Sequence, residues 1–285
     1  MATPRRIEWL GTYFVPNNER KEEIVRLLIE DEMYTSSMGG PLTEQADPGA
    51  LRDVLDIACG IGAWALEAAT KYPAISVVGI DINQEIINLA SARAATQKSR
   101  KRVTFQVMDA LDPLAFADKS FDLVNLRLGS TFIRIWDWPV LLNELLRVLR
   151  PGGILRLSEI EIAQQSASQV HAQWFELLLI AEFHAGRLFE RTSDGLTAHL
   201  PRLLRHFGLR QVQSQIYPCI FETGTPSGEI YYNYVLHSHT LLPFLQKWGA
   251  AQQDVETIYR QTLADIQQSD FRTNWNIHTI WGSKA

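Results

Sequence analysis

Short apolar runs alternate with helical patterns over the middle of the chain. The runs are typical of buried strands and cover residues 54–58, 76–81, 103–108, 121–126 and 154–157. Helical periodicity begins near Ala63 and Gln84 and covers residues 139–149, where Pro151-Gly152-Gly153 ends it. This alternation predicts βαβ units and a parallel sheet.

The C-terminal part of the chain predicts helical insertions and two further strands. A long helix over residues 168–190 and a shorter one over 200–207 precede a strand-like alternation at 211–220. Some fifty residues of helical pattern then separate this strand from the last one, at 276–281. We therefore predict a doubly wound α/β fold. Its mostly parallel seven-stranded sheet has an antiparallel last strand, and its cap insertions lie at about 160–208 and 223–275.

Residues 1–50 differ from this pattern and form a separate leader. An aromatic arm with Trp9, Tyr13 and Phe14 comes first, and apolar residues then follow at helical spacing. Asn18 is a suitable N-cap, and Gly39-Gly40-Pro41 should end the helix. The sequence thus predicts a helical N-terminal segment over residues 1–50 and a main domain over 51–285.

Composition narrows the range of partners. The chain has 285 residues, 46% of them hydrophobic, and a net charge of -5, so it is globular and has no general basic field for nucleic acid. A small-molecule substrate fits better. Cys59 and Cys219 stand far apart without a CxxC pair, which disfavours disulfides and structural zinc. The most apolar stretch, residues 175–181 with Glu176 inside it, is too short for a membrane helix. We expect a cytoplasmic protein without a membrane partner.

The most informative stretch is Asp56-Ile-Ala58-Cys-Gly60-Ile-Gly62, which follows the first predicted strand. Glycines at this position allow a tight turn and a close approach to a ligand, and the next helix presents its amino-terminal N–H groups. The same residues also satisfy the dinucleotide pattern GxGxxG/A, with Asp81 suited to a ribose in either case.

Three features favour adenosine joined to an amino acid over a nicotinamide cofactor. Asp56 places a carboxylate in the strand-to-loop turn, where it suits an amine-bearing ligand. Asp109 follows the third strand, where it can accept a hydrogen bond from an adenine amine, with Ile82 or Met108 against the ring. The two last strands suit a terminal antiparallel hairpin better than a second mononucleotide-binding half.

These residues resemble those of the class I S-adenosylmethionine-dependent methyltransferases, and the resemblance covers about residues 51–285. The family's glycine loop has the form D/E-x-G-x-G-x-G, and here Ala58 replaces the first glycine. Leu149-Arg-Pro-Gly-Gly153 is similar to the family's turn before its fifth strand. The resemblance implies S-adenosylmethionine as the cofactor. It implies that the binding positions are Tyr34, Asp56, Ala58, Gly60, Gly62, Asp81, Ile82, Met108, Asp109, Ala110, Asn125 and Arg127.

The leader has a narrower likeness. Its Tyr13-Phe14-Val-Pro16-Asn17-Asn18 stretch, followed by Gly39-Gly40, is similar to the N-terminus of methyltransferases of the fungal secondary-metabolism regulator type. In such proteins an N-terminal helix covers the cofactor pocket. The resemblance therefore implies that residues 1–50 form a lid, with Tyr13 and Tyr34 at the site.

The predicted long helix carries the candidates for a general base. His171 lies on one of its faces and His184 on another, and either face could contact a substrate. We select His184, with Tyr13 as a second catalytic candidate, because an imidazole can accept a proton near neutral pH. The chain has Asn125-Leu-Arg-Leu-Gly129 in place of the N/D-P-P-Y/F motif of base methylation. We find no recognisable ligand set of the metal-dependent catechol type and expect no metal.

The sequence therefore predicts methyl transfer from S-adenosylmethionine to an O, N or C nucleophile of a small molecule, with secondary metabolism as the setting. Two alternatives stay open. One is a regulatory or scaffold protein that binds the cofactor without turnover. The other is an enzyme that uses the charge of the bound cofactor for a cyclisation or rearrangement. The aromatic leader also makes a homo-oligomer one of the expected states.

Overall fold

The structure is a computed structural model that describes residues 20–161, 166–249 and 254–285. The described helices, in chain order, are α1 Arg20–Met38, α2 Ala63–Lys71, α3 Gln84–Ala95, α4 Trp138–Val148, α5 Gln169–His184, α6 Leu200–His206, α7 Pro226–His237, α8 Leu242–Trp248 and α9 Val255–Asp265. The strands are β1 Asp53–Ile57, β2 Ser76–Asp81, β3 Val103–Val107, β4 Phe121–Arg127, β5 Leu149–Glu161, β6 Leu209–Glu222 and β7 Arg272–Lys284.

The strands form one seven-stranded sheet in the order β3-β2-β1-β4-β5-β7-β6. The first five run parallel, while β7 is antiparallel to both β5 and β6. The predicted fold class is confirmed. Because the strand order reverses between β1 and β4, the carboxyl ends of these two strands leave a crevice, where such sheets bind their ligands.

Two apolar clusters on either side of the sheet hold the layers together. The larger one includes Leu55, Leu126 and Trp138 and continues into the cap helices, and the smaller one is centred on Trp64 of α2. Strands β1 and β4 are buried on both faces, which explains their nearly continuous apolar sequences. The described part of the chain contains no helix that is both long and apolar enough to cross a bilayer.

The long predicted helix ends six residues earlier than expected. Helix α5 stops at His184, and Gly186 follows it with a left-handed backbone (φ 78°). A side chain at Gly186 would lie 2.5 Å from the Trp136 ring, so only glycine fits at this turn. Helical spacing alone could not show this, because the apolar residues at 188 and 189 continue the pattern beyond the glycine.

Helix α1 lies across the carboxyl edge of the sheet and packs on α7 of the cap. A buried ionic cluster joins the two: Arg26 donates to both carboxylate oxygens of Glu23 and to Glu30, each over 2.9 Å. The Thr240 hydroxyl donates to Glu23 over 2.7 Å, and the Arg26 guanidinium lies 5.9 Å from the centre of the Tyr234 ring. Helix α1 is thus attached to the C-terminal helices as well as to the sheet.

Candidate functional site

The glycine loop leaves β1 in a left-handed backbone conformation. Ala58, Gly60 and Gly62 have φ values of 51°, 52° and 73°. Ala58, which stands where the family has glycine, therefore adopts a conformation that glycine adopts without strain. Gly62 is the N-cap of α2, so the first amide groups of that helix point toward the same crevice.

A pocket lies between this loop and helix α1. Its lining is contributed by α1, by β1 with the glycine loop, and by the end of β4. The lining residues are Leu27, Glu30, Asp31, Tyr34, Asp56, Ile57, Ala58, Cys59, Gly60, Ile61, Ala63, Arg127 and Leu128. The pocket therefore brings together five of the positions predicted from the sequence: Tyr34, Asp56, Ala58, Gly60 and Arg127.

Asp56 is the buried carboxyl at the base of the pocket. It is 3% exposed, and Asn125 Nδ2 donates to its Oδ1 over 2.7 Å. Burial raises the pKa of Asp56 to about 7, against the opposing effects of the Arg127 charge and the Asn125 hydrogen bond. A cationic group bound beside Asp56 would favour its ionised form. Asn125 itself is fully buried and reaches the pocket only through this bond.

Arg127 lines the pocket and is bonded to helix α1. Its guanidinium forms a short ion pair with Asp31 and donates to the Thr35 hydroxyl over 3.2 Å, both in α1. The neighbouring Glu30 also lines the pocket, and burial raises its pKa. Sequence reasoning missed Glu30 and Asp31 because they lie in a run of acids that is typical of a solvated helix face.

The remaining predicted positions follow along the carboxyl ends of β2 and β3. Asp81 Oδ2 accepts from the amide of Gly60 over 3.1 Å, and its Oδ1 accepts from Asn83 over 2.9 Å. Ile82 is 62% exposed beside it. Asp109 Oδ1 accepts from the Leu111 amide over 2.9 Å. Met108 is half-buried next to Asp109, whereas Ala110 is buried among the core residues.

This arrangement fits adenosine joined to an amino acid. The exposed apolar side chain of Ile82 follows Asp81 at the end of β2, and Asp109 follows the neighbouring strand β3, which suits an adenine ring with a ribose beside it. The glycine loop connects these strand ends to the pocket. There Asp56 suits the ammonium of an amino acid, and Arg127 suits its carboxylate. Each of these features belongs to this chain's own side chains and backbone.

The predicted catalytic residues do not meet in the pocket. His184 is exposed at the end of α5, and its Nδ1 lies 2.9 Å from the Trp248 carbonyl oxygen. His171, on the other face of α5, is fully buried, and its Nε2 forms a hydrogen bond with the Tyr231 hydroxyl. Tyr13 lies outside the described residues. Among those residues, no cluster of three or more His, Cys, Asp or Glu side chains could hold a metal ion.

Comparison with known proteins points to the same chemistry. Residues 54–153 match the family model described as a methyltransferase domain. A demethylmenaquinone methyltransferase of Lactiplantibacillus plantarum is 28% identical over 206 residues, which cover 72% of this chain and 82% of that protein. The protein-methionine methyltransferase laeA of Emericella nidulans is 30% identical over 152 residues, or 53% of this chain and 37% of that one.

The overall fold also has a close parallel. The crystal structure of the [4+2]-cyclase SpnF superposes with a TM-score of 0.51 at 18% identity, over 95% of this chain and 98% of the other. The glycine loop followed by α2, the strand-end carboxylates, the sheet order and the matched domain all agree. Residues 54–153 are a methyltransferase domain, and the chain resembles the class I S-adenosylmethionine-dependent methyltransferases.

Proposed function

We propose that the protein transfers the methyl group of S-adenosylmethionine to an O, N or C nucleophile of a small molecule, and that this acceptor belongs to secondary metabolism. A set of aromatic side chains, which we call the aromatic wall, runs from Tyr34 in the pocket to helices α5 and α7 and supports methyl transfer to a small molecule. The setting in secondary metabolism is supported by the likeness to laeA, which is also named a secondary metabolism regulator.

The aromatic wall begins at Tyr34. Its ring centre lies 6.5 Å from that of Trp275, which in turn makes edge contacts with Phe175, Tyr231 and Tyr234 at 5.3–5.5 Å. Tyr34 is 3% exposed, yet its hydroxyl has no hydrogen-bond partner among the described residues. Because a buried hydroxyl without a partner is unfavourable, a ligand that supplies one would be stabilised there. This hydroxyl is the observation that carries the proposal.

The side chains around the pocket have separate tasks in this proposal. Asp81 would hold the ribose hydroxyls and Asp109 the adenine amine, with Ile82 and Met108 against the ring. The amides of the glycine loop would approach the amino-acid part, with Asp56 next to its ammonium. The cofactor supplies a methyl group activated by a cationic sulfur, and that charge disappears as the methyl leaves. Strong ionic contacts to the sulfur would therefore slow the reaction.

The lid and cap would provide orientation and exclude water. Alignment of two reactants in a closed pocket can contribute about 7–11 kcal/mol to the lowering of a barrier. Burial raises the pKa of Tyr34 well above its ordinary value. At neutral pH this tyrosine is therefore a donor, so we assign it the positioning of the acceptor. Tyr13 remains a catalytic prediction, whereas the exposure of His184 and its bond to Trp248 leave it without a contact to the pocket.

Changing Tyr34 to Phe tests this assignment. The ring and its packing on Trp275 remain, while the unpartnered hydroxyl of Tyr34 is lost. We expect the affinity for S-adenosylhomocysteine to stay within about twofold and the rate of methyl transfer to fall roughly 10- to 100-fold, the effect of one strong hydrogen bond. Calorimetry and release of the demethylated cofactor measure the two quantities. Tyr232→Phe, in the cap, is the matched control. A fall in cofactor affinity equal to the fall in rate would show that Tyr34 binds the cofactor instead.

An acceptor screen tests the function as a whole. The protein is incubated with methyl-labelled S-adenosylmethionine and panels of quinone precursors, phenols and polyketides, and label in small molecules and in protein is separated. Labelled small-molecule product supports the proposal, and label only in protein contradicts it.

Two control arms of the screen cover the alternatives. Product formation with the demethylated cofactor would favour cyclisation or rearrangement, as the name of the SpnF neighbour suggests. Tight cofactor binding without turnover, together with a stable complex with another protein, would favour a regulator.

The setting of the enzyme is also proposed. The thiols of Cys59 and Cys219 are free, which agrees with the cytoplasm. A homo-oligomer stays a prediction, and light scattering of the purified protein would measure its mass.

A further inference from the structure

A row of buried polar side chains crosses the middle of the sheet beside the pocket. Asp56, Asn125 and Arg156 are register partners on the neighbouring strands β1, β4 and β5. Asn125 Nδ2 donates to Asp56 Oδ1, and Arg156 Nη1 donates to Asn125 Oδ1, each over 2.7 Å. Asn125 and Arg156 are fully buried. Buried charges are unfavourable unless they are paired, so this row needs an explanation.

The row continues into the segment that follows the lid helix. Arg156 Nε donates to Glu44 Oε1 over 2.7 Å, and neither side chain has any exposed area. The Tyr217 hydroxyl lies 3.4 Å from Glu44 Oε2 and 3.1 Å from the Thr43 hydroxyl. Thr43 in turn donates to the carbonyl of Met38, the last residue of α1, over 2.8 Å. A continuous set of hydrogen bonds therefore joins the end of the lid helix to the carboxyl of Asp56.

Arg156 determines which way the Asn125 amide faces. A guanidinium has donors only, so the Asn125 oxygen must face Arg156 and its NH₂ group must face Asp56. A donor that points at Asp56 favours the ionised carboxylate. Without Arg156 the amide could rotate and present its oxygen, which would favour the protonated acid.

Other charged groups also face Asp56 and influence its ionisation. Arg127, from β4, and the charge of Arg156 itself, from β5, favour the carboxylate, whereas Asp31, from α1, disfavours it. Glu30 lines the same pocket and Cys59 lies in the adjoining loop. Burial has the largest effect and disfavours the ionised form of Asp56. Because the pKa of Asp56 is raised to about 7, one hydrogen-bond donor more or less changes the fraction that is ionised at neutral pH.

We propose that Glu44 and Arg156 are positioning residues of the cofactor site: through Asn125 they hold Asp56 as a carboxylate that receives the cofactor's ammonium. The docking of the segment after the lid and the binding of cofactor then stabilise each other. The proposal rests on cofactor binding at the glycine loop and is independent of which acceptor is methylated.

The test replaces the buried ion pair by an apolar pair of similar size, Glu44→Leu with Arg156→Met. Such exchanges are often neutral for stability, since neither charge is left alone. Calorimetry measures the affinity for S-adenosylhomocysteine, which carries the same ammonium, from pH 6 to pH 8.5. In the wild type, Asp56 is protonated below about pH 7 and must lose a proton on binding. The affinity therefore rises with pH and levels off above that value.

The affinity of the double variant for S-adenosylhomocysteine should level off at a pH at least one unit higher than that of the wild type. Its affinity should then be about tenfold below wild type at pH 6 and within about twofold at pH 8.5, because one pKa unit is a factor of ten. The same exchange at another buried pair, Glu182→Leu with Arg187→Met, is the control and should follow the wild-type curve. That pair joins its charges over 2.9 Å elsewhere in the fold.

Two results would overturn the proposal: superimposable pH curves of wild type and variant, or an equal loss of affinity at every pH. Arg156→Lys, which keeps the charge but cannot reach both partners with a planar fork, serves if the double variant does not fold, and its curve should shift in the same direction. Absence of binding by the wild type would count against the cofactor site itself and not against the positioning role.

Discussion

Replacing Gly62 by alanine will destabilise the fold and weaken cofactor binding. The new Cβ would lie 2.3 Å from Cζ of Phe105 and 2.7 Å from its Cε1. The Phe105 ring also packs closely on Gly79, where an added Cβ would lie 2.6 Å from its Cδ1, so the ring has little space to move. Gly62 also has a φ of 73°, which is unfavourable for alanine. Overpacking and backbone strain together predict a loss of about 2–5 kcal/mol in the free energy of unfolding.

Two companion variants separate these causes. Gly60 has a φ of 52° but nothing within 4 Å of its Cβ position, so Gly60→Ala should lose only about 1 kcal/mol. Ala58, in the same loop at a φ of 51°, shows that the loop accepts an alanine there. Phe105→Ala in the Gly62→Ala background should recover part of the loss by removing the clash. Equal losses at Gly60 and Gly62, measured by urea unfolding, would refute the contact with Phe105 as the cause.

Replacing Arg26 by methionine should destabilise the protein by about 3–5 kcal/mol, since it removes the cation that two buried carboxylates share. Arg26 is 3% exposed and is the shared partner of Glu23 and Glu30. Burial already raises the pKa of Glu30 while Arg26 lowers it, so the variant should raise that pKa further. The unfolded state then binds fewer protons than the folded state, and the stability of the variant should increase as the pH falls from 7 toward 5.

The matched control for Arg26→Met is the triple variant Glu23→Gln, Arg26→Met and Glu30→Gln. It removes all three charges and should recover most of the loss at pH 7, because no uncompensated charge stays buried. Unfolding curves at pH 5 and pH 7 measure both effects. A loss that is the same at the two pH values, or that persists in the triple variant, would mean that packing on Tyr234 and not charge explains the role of Arg26.

The sequence predicted the nucleotide-binding half of the fold almost to the residue. Strand β2 and the start of α2 agree with the predicted bounds. Short apolar runs that are bounded by glycine, proline or acidic residues leave few other positions at which an element could begin or end. The site positions at the ends of β1, β2 and β3 follow from the same logic, because parallel strands place their carboxyl ends at one edge.

The parts that sequence could not predict depend on contacts between distant segments. The pairing of Arg127 with Asp31 joins residues 96 positions apart, and that of Arg156 with Glu44 joins residues 112 apart. No local pattern encodes such a pair. The helical wheel puts His171 and His184 on different faces of α5 but does not show which face is buried, and only the packing of α5 makes His184 exposed and His171 buried.

A calorimetric titration tests the central claim most directly. S-adenosylmethionine, S-adenosylhomocysteine and NAD are titrated into the wild type, Asp81→Ala and, as a control on a nearby exposed acid, Asp112→Ala. We predict micromolar binding of the first two ligands and none of NAD. Asp81→Ala should weaken binding roughly 100-fold or more, because it removes the carboxylate that we propose holds the ribose, and Asp112→Ala should match the wild type. Binding of NAD alone, or of none of the three, would contradict the assignment.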